Sequence, residues 1–356
     1  TIFSMSNPTA SVSKSLDSKV NRLLADPGCR DFILADAKDA DMAFGLPAPG
    51  LASGGDRLHG PFRTLVDFRS HIRDIVAQGL VDVMLMSAST SAVLAIDEGL
   101  FADSTVTPAV RMNDTTDIWL AAGAGTYPRQ PALPFATTTV SEAQWGRLVP
   151  PRSGRPAVDL GLFSVTLNGD AAADREMLTA YRSFRHEAEE AGFRHFLEVF
   201  FPNVLAQGGG AAPLGVARFV ADHVVRALAG VPRAGRPVFL KIPYLGPGIT
   251  EQLASYDRSL IVGILGGAAG TTHDAFSLVA ESKRHGARVA LFGRKINAAE
   301  HQLEFIRFLR AVADEEITAV EAVRAYHAAL ATLGLQPHRP LEDDLAITHT
   351  AAAYGG

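Results

Sequence analysis

The sequence is short of several things, and each shortage removes a class of function. Its 356 residues include one cysteine, Cys29, so no internal disulfide can form and a reducing, cytoplasmic setting is expected. No apolar run approaches the ~18 residues that would suggest a membrane span, so no membrane partner is expected. The first residues lack the basic-then-apolar pattern of a secretory leader, and the Ser-rich start reads as a loose tail. Surplus charge is also scarce: a net charge of -5 predicts no nucleic-acid partner. No H-x-x-x-H spacing marks a metal site. The triple glycine Gly208–Gly210 reads as a flexible loop and lacks the dinucleotide fingerprint. Lysine is rare as well. Only Lys14, Lys19, Lys38, Lys241, Lys283 and Lys295 stand among 33 basic residues, so Arg is the default surface cation. A Lys inside an apolar strand therefore asks for an explanation beyond solubility.

What is present is a repeated theme. Short runs rich in Val, Ile, Leu and Phe alternate with amphipathic stretches, the pattern of parallel strands joined by crossover helices. The strands read as Phe32–Asp36, Val81–Ser87, Ala109–Asn113, Leu160–Leu167, His195–Phe200, Val238–Ile242, Leu260–Leu265 and Val289–Phe292. The helices include Phe62–Gln78, Asp174–Ala191, Thr271–His285 and Ala298–Asp314. A further C-terminal helix, Thr318–Leu333, opens with the spacing of a capping box. This count predicts one closed (β/α)8 TIM barrel over residues 21–335, flanked by tails at 1–20 and 336–356. An open doubly wound sheet is the alternative. Residues 37–61 and 114–157 form long loops after strands one and three, and are expected to act as lids or subunit contacts.

In such a barrel the chemistry sits at the C-terminal strand ends. Lys241 lies in Pro237-Val-Phe-Leu-Lys-Ile-Pro243, where burial favours the neutral amine, a nucleophile for a carbonyl carbon. The alternative is a structural ion pair. Glu198, one strand earlier, can reach Lys241 and move protons. Asp36 ends strand one as a candidate base or hydroxyl ligand, with Asp39 and Asp41 as alternatives. Gly266 and Gly267 after strand seven, with Gly293 and Arg294 after strand eight, form a paired anion-binding signal. Arg111 and Asn168, at the ends of strands three and four, complete the candidate binding residues.

Together these residues resemble the class I, Schiff-base aldolases of the fructose-bisphosphate and tagatose-bisphosphate superfamily. The similarity is clearest from Phe193 to Asn297, with weaker echoes at Phe32–Asp41 and Gly79–Ser87. It implies imine formation by Lys241, a role for Asp36, and phosphate binding at Gly266, Gly267, Gly293 and Arg294. The Phe-Leu-Glu segment at Glu198 is similar to the tagatose branch, where such a Glu takes part in proton transfer. Asn168 stands where the archaeal-type enzymes carry a proton-transferring Tyr. The strand Lys of the tagatose branch has no counterpart, and the loop Asn113–Asp159 is longer than in the family.

The sequence thus predicts a lyase that cleaves or forms a C–C bond of a phosphorylated ketose or ketose-like acid. No cofactor and no metal are expected, and the protein is expected to be a homo-oligomer. Two rivals share the barrel. One is a metal-dependent sugar-phosphate isomerase or epimerase in which Lys241 stabilises an enolate. The other is a non-catalytic sugar-phosphate-binding barrel.

Overall fold

The computed structural model describes residues 12–56, 59–121, 129–204, 215–267 and 270–348. The triple glycine Gly208–Gly210 and the Ser-rich start lie outside the described residues. Eight parallel strands make one sheet: β1 (Ile33–Lys38), β2 (Val83–Met86), β3 (Thr107–Arg111), β4 (Leu160–Thr166), β5 (Arg194–Phe200), β6 (Leu240–Lys241), β7 (Gly263–Leu265) and β8 (Val289–Phe292). Neighbours in the sheet follow chain order, and β8 pairs with β1. Hydrogen bonds from Leu240, Ile242 and Leu265 link β6 to β7, so the sheet closes into a (β/α)8 barrel. Regular pairing along β6 is brief. Pro237 and Pro243 flank it, and neither has an N–H to give a ladder.

The strands are buried on both faces, and the two faces feed separate apolar clusters. Ile33, Val83, Leu160, Phe196, Phe239 and Val289 fill the lumen. Leu34, Met84, Phe163, Leu197, Ile264 and Ala290 face outward against the helices. Helix α1 (Ser15–Ala25) closes the lower mouth, with Leu16 fully buried in the lumen cluster. Lys14 anchors this end by donating to the carbonyls of Phe101 and Ser104 at 2.6 Å each. Residue 21, where the sequence places the start of the barrel, therefore falls within a helix that belongs to the core.

The outer helices are α2 (Leu65–Gln78), α3 (Ala88–Asp97, whose last six residues are π-helical), α4 (Ala171–Glu190), α5 (Val216–Ala229), α6 (Pro247–Tyr256), α7 (Thr272–Arg284) and α8 (Gln302–Ala313). The expected extra helix is α9 (Ala319–Thr332), packed on α7 and α8. Capping boxes at Thr64, Thr271 and Thr318 start α2, α7 and α9. The two long connections carry structure of their own. After β1 come a short helix, Ala40–Phe44, and a two-stranded ribbon of Leu51–Asp56 with Gly60–Phe62. After β3, Asp114–Thr115 pairs with Pro134–Phe135, with short helices at Thr116–Ala121 and Val140–Trp145. No helix among the described residues is long and apolar enough to cross a membrane.

Candidate active site

The period of two along each strand builds the site. Lumen-facing rows begin apolar and turn polar toward the C-terminal end: Leu160-Leu162-Ser164 on β4, Phe196-Glu198 on β5, Phe239-Lys241 on β6 and Ala109-Arg111 on β3. Polar groups at one level thus converge on one end of the barrel, where neighbouring strands stand ~4.8 Å apart. Lys241 and Glu198 are register partners on β6 and β5, and Lys241 Nζ lies 2.6 Å from Glu198 Oε1. Both are buried, at 7% and 2% exposure. The second oxygen of Glu198, Oε2, accepts from the Ser164 hydroxyl at 2.7 Å.

Arg111 binds the opposite side of this group. Its guanidinium donates to Asp39 Oδ2 at 2.8 Å and to Asp114 Oδ1 at 3.0 Å, and stands 3.9 Å from Glu198 Oε2. Burial pushes the Asp39 carboxyl up, but Arg111 and Lys241 outweigh it, and Asp39 ends below its ordinary value. Burial opposes the charge of Arg111 too, yet its three acidic neighbours raise it above its ordinary value. Asp114 goes the other way: burial pushes it up to about 6 in spite of Arg111. Its Oδ2 is buried without a hydrogen-bond partner, an arrangement suited to holding a proton.

Lys241, Glu198, Arg111 and Asp39 line a cavity of about 130 Å³, together with Gly266, Gly267, Gly293 and Arg294. The glycines permit close approach. A Cβ on Gly266 would fall 2.2 Å from the Phe292 ring, and one on Gly293 would fall 2.4 Å from the Ala37 carbonyl oxygen. Arg294 stacks on Phe44, 5.4 Å from the ring centroid, at the cavity mouth. The N-terminus of α7 is already occupied. Thr271 N–H donates to Asp274 Oδ2 and Thr272 N–H to Asp344 Oδ1, each at 2.7 Å. Among the described residues, no group of three or more His, Cys, Asp or Glu is arranged to hold a metal ion.

The structure brings Lys241, Glu198, Arg111, Gly266, Gly267, Gly293 and Arg294 together around one cavity. It does not bring Asp36 or Asn168 there. β1 runs two residues beyond Asp36, to Lys38, and alternation puts Ala35 and Ala37 in the lumen. Asp36 therefore points outward, 2.9 Å from Lys38 Nζ, with both side chains fully buried. Burial raises Asp36 and lowers Lys38 against their mutual attraction. Asp39, where the chain turns back over the lumen, takes the place expected of Asp36. Asn168 is committed to scaffold contacts: its Nδ2 donates to Asn203 at 2.9 Å, and its Oδ1 accepts from Val204 N–H at 2.7 Å. The sequence reading did not single out Ser164, Asp114 or Phe44. Ser164 was legible as the first polar residue in the row Leu160-Leu162-Ser164. Asp114 and Phe44 lie beyond strand ends and follow no period.

No protein-family model matches the sequence, and no curated protein does either. Solved structures do. A fructose-bisphosphate aldolase from Slackia heliotrinireducens aligns over 97% of this chain and 97% of its own, with a TM-score of 0.60 at 17% identity. An archaeal fructose 1,6-bisphosphate aldolase aligns over 84% of this chain and 99% of its own, with a TM-score of 0.56 at 17% identity. A Schiff-base-forming fructose-1,6-bisphosphate aldolase gives 0.55 at 18% identity, over 85% of this chain and 99% of its own. The chain has the fold of the Schiff-base aldolases.

Proposed function

We propose that the protein is a class I aldolase-type lyase acting on a phosphorylated ketose or ketose-like acid through an imine at Lys241. The observation that carries this reading is the Lys241–Glu198 contact of 2.6 Å inside a cavity at the C-terminal end of the barrel. An ammonium is not a nucleophile, and Glu198 is placed to take its proton. The free amine then adds to the substrate carbonyl. Glu198 returns the proton to the carbinolamine oxygen, which leaves as water and gives an iminium. The iminium draws electrons from the C–C bond one carbon further on, while a carboxylate takes the proton of the hydroxyl on the departing carbon. Glu198 and Asp39 both face the cavity for that step. Arg111 fixes the two carboxylates by binding both. Arg294 and the glycines after β7 and β8 hold the anionic end of the substrate. Because the iminium serves as the electron sink, turnover requires no metal.

The decisive experiment is reductive trapping. A panel of phosphorylated ketoses and keto acids, offered with borohydride, should inactivate the protein irreversibly. Mass spectrometry should then place the reduced adduct on Lys241. If no member of the panel leaves an adduct anywhere on the chain, the Schiff-base reading is wrong.

A further inference from the structure

The cavity is lined by three basic side chains, Lys241, Arg111 and Arg294, and two acidic ones, Asp39 and Glu198, while Asp114 binds Arg111 without lining it. Their pairing leaves little over. Lys241 is bound to Glu198 and Arg111 to Asp39 and Asp114, while Arg294 alone of the three makes no ion pair among the described residues. When Lys241 passes its proton to Glu198, the two are neutralised together and the net charge of the cavity is unchanged, so Arg294 remains the unpaired cation among the described lining residues.

The usual reserve of positive potential is also taken. The first N–H groups of α7 are bound by the carboxylates of Asp274 and Asp344. Asp344 is fixed there from behind by His327, whose Nε2 lies 2.9 Å from Asp344 Oδ2. The same C-terminal segment clamps the turn at further points. Ala346 carbonyl accepts from the Thr271 hydroxyl at 2.7 Å, and Thr348 donates its N–H to Asp274 Oδ1 at 2.9 Å. Lys295 is spent on the Gly270 carbonyl at 2.7 Å, and Lys38 faces away from the lumen toward Asp36.

We infer that the site takes a polyhydroxylated substrate bearing one anionic group, seated at Arg294, and discriminates against substrates with an anion at each end. A second anion would meet Asp39 and Glu198, with no other unpaired cation among the described residues that line the cavity. The neutral hydroxylated remainder of such a substrate suits the acidic side chains, which accept hydrogen bonds from hydroxyls. This inference rests on the reading above only in taking the cavity as the substrate site.

Polyols without a carbonyl test it independently of imine chemistry. Equilibrium binding to the whole chain would be measured calorimetrically for a hexitol monophosphate, a hexonate and a hexitol bisphosphate. We expect one of the two single-anion polyols to bind more tightly than the bisphosphate. Which one does so identifies the anion as phosphate or carboxylate. Its affinity should fall tenfold or more in Arg294→Ala, the loss of one charged hydrogen bond. Bisphosphate binding as tightly or more tightly, no binding by either single-anion polyol, or unchanged affinity in Arg294→Ala would each overturn the inference. Failure of borohydride trapping with these binding results intact would instead remove the imine chemistry and leave the single-anion site standing.

Discussion

Lys241 Nζ stands 2.6 Å from Glu198 Oε1 because the two residues are register partners on adjacent strands of one barrel. The contact is therefore set by the backbone, not by chance meeting of long side chains. It also separates two roles that substitution can distinguish. Arg in place of Lys241 keeps the charge but cannot lose its proton, so an ion pair survives and an imine does not. Lys241→Arg is expected to fold, to bind substrate and to show no measurable turnover. Lys38 and Lys295 are internal controls for trapping, and borohydride adduct on either would move the nucleophile. Activity of the wild type should also persist through exhaustive chelation, and loss reversed by a divalent cation would favour the metal-dependent alternative.

Glu198→Gln keeps the shape and removes the base. Turnover should fall by about 10²–10⁴-fold, the usual contribution of a positioned general acid–base. A borohydride adduct should still accumulate slowly on Lys241. Wild-type turnover across pH in this variant would make Glu198 a structural partner only.

Arg294→Ala should weaken substrate binding by about 1.5–3 kcal/mol, as expected for a hydrogen bond to a charged group. The Michaelis constant should carry most of the change. An unchanged Michaelis constant, with unchanged inhibition by a competing anion, would take Arg294 out of the site.

Asp36 and Asp39 differ by three positions and by the face they occupy. Asp36→Asn leaves the fully buried Lys38 without its counter-charge and is expected to cost about 3–5 kcal/mol of stability. What remains folded should keep a near-normal Michaelis constant. Asp39→Asn should lower turnover instead, since Asp39 faces the cavity and holds Arg111. Steady-state kinetics alongside thermal unfolding would separate the two, and a reversed pattern would restore Asp36 to the chemistry.

Asp114 makes a prediction about pH. Its carboxyl is pushed up to about 6 in the folded protein from an ordinary value of 3.8. The folded state thus holds this proton more tightly than the unfolded chain does. The corresponding stability is fully present below pH ~4 and is lost as pH rises through about 6, a change of about 3 kcal/mol. Asp114→Asn cannot titrate there. The stability of the wild type relative to this variant should therefore decline between pH 4 and 6.5 in urea unfolding, and a flat difference would show that Asp114 titrates normally.

The barrel was legible because its signal is long-range and repeated. Eight apolar runs separated by amphipathic helices, with capping boxes such as Thr318–Glu321, allow few other architectures. Lys241 was legible as a chemical anomaly, a rare residue type in an apolar strand. Asp36 misled because it was judged by chemistry and by an apparent strand end. Parity settles such a case: Ala35 and Ala37 enter the lumen, so Asp36 cannot. Asn168 misled for a different reason, since its fate depends on Asn203, which is distant in sequence. The capping of α7 by Asp344 could not be read at all, because it joins residues 72 positions apart across a tertiary contact.

The plug formed by α1 has a consequence for the order of events in biosynthesis. Leu16 belongs to a lumen cluster that also includes Val289 of β8, so its docking surface is incomplete until the last strand exists. At roughly 5–20 residues per second, the ribosome takes on the order of 15–60 s to cover that interval. For that time α1 has nowhere to bury its apolar face. Barrel closure and the seating of α1 thus wait for β8. Until then the nascent chain should be exposed to proteases and chaperones at α1, and protection of Leu16 would report completion of the barrel.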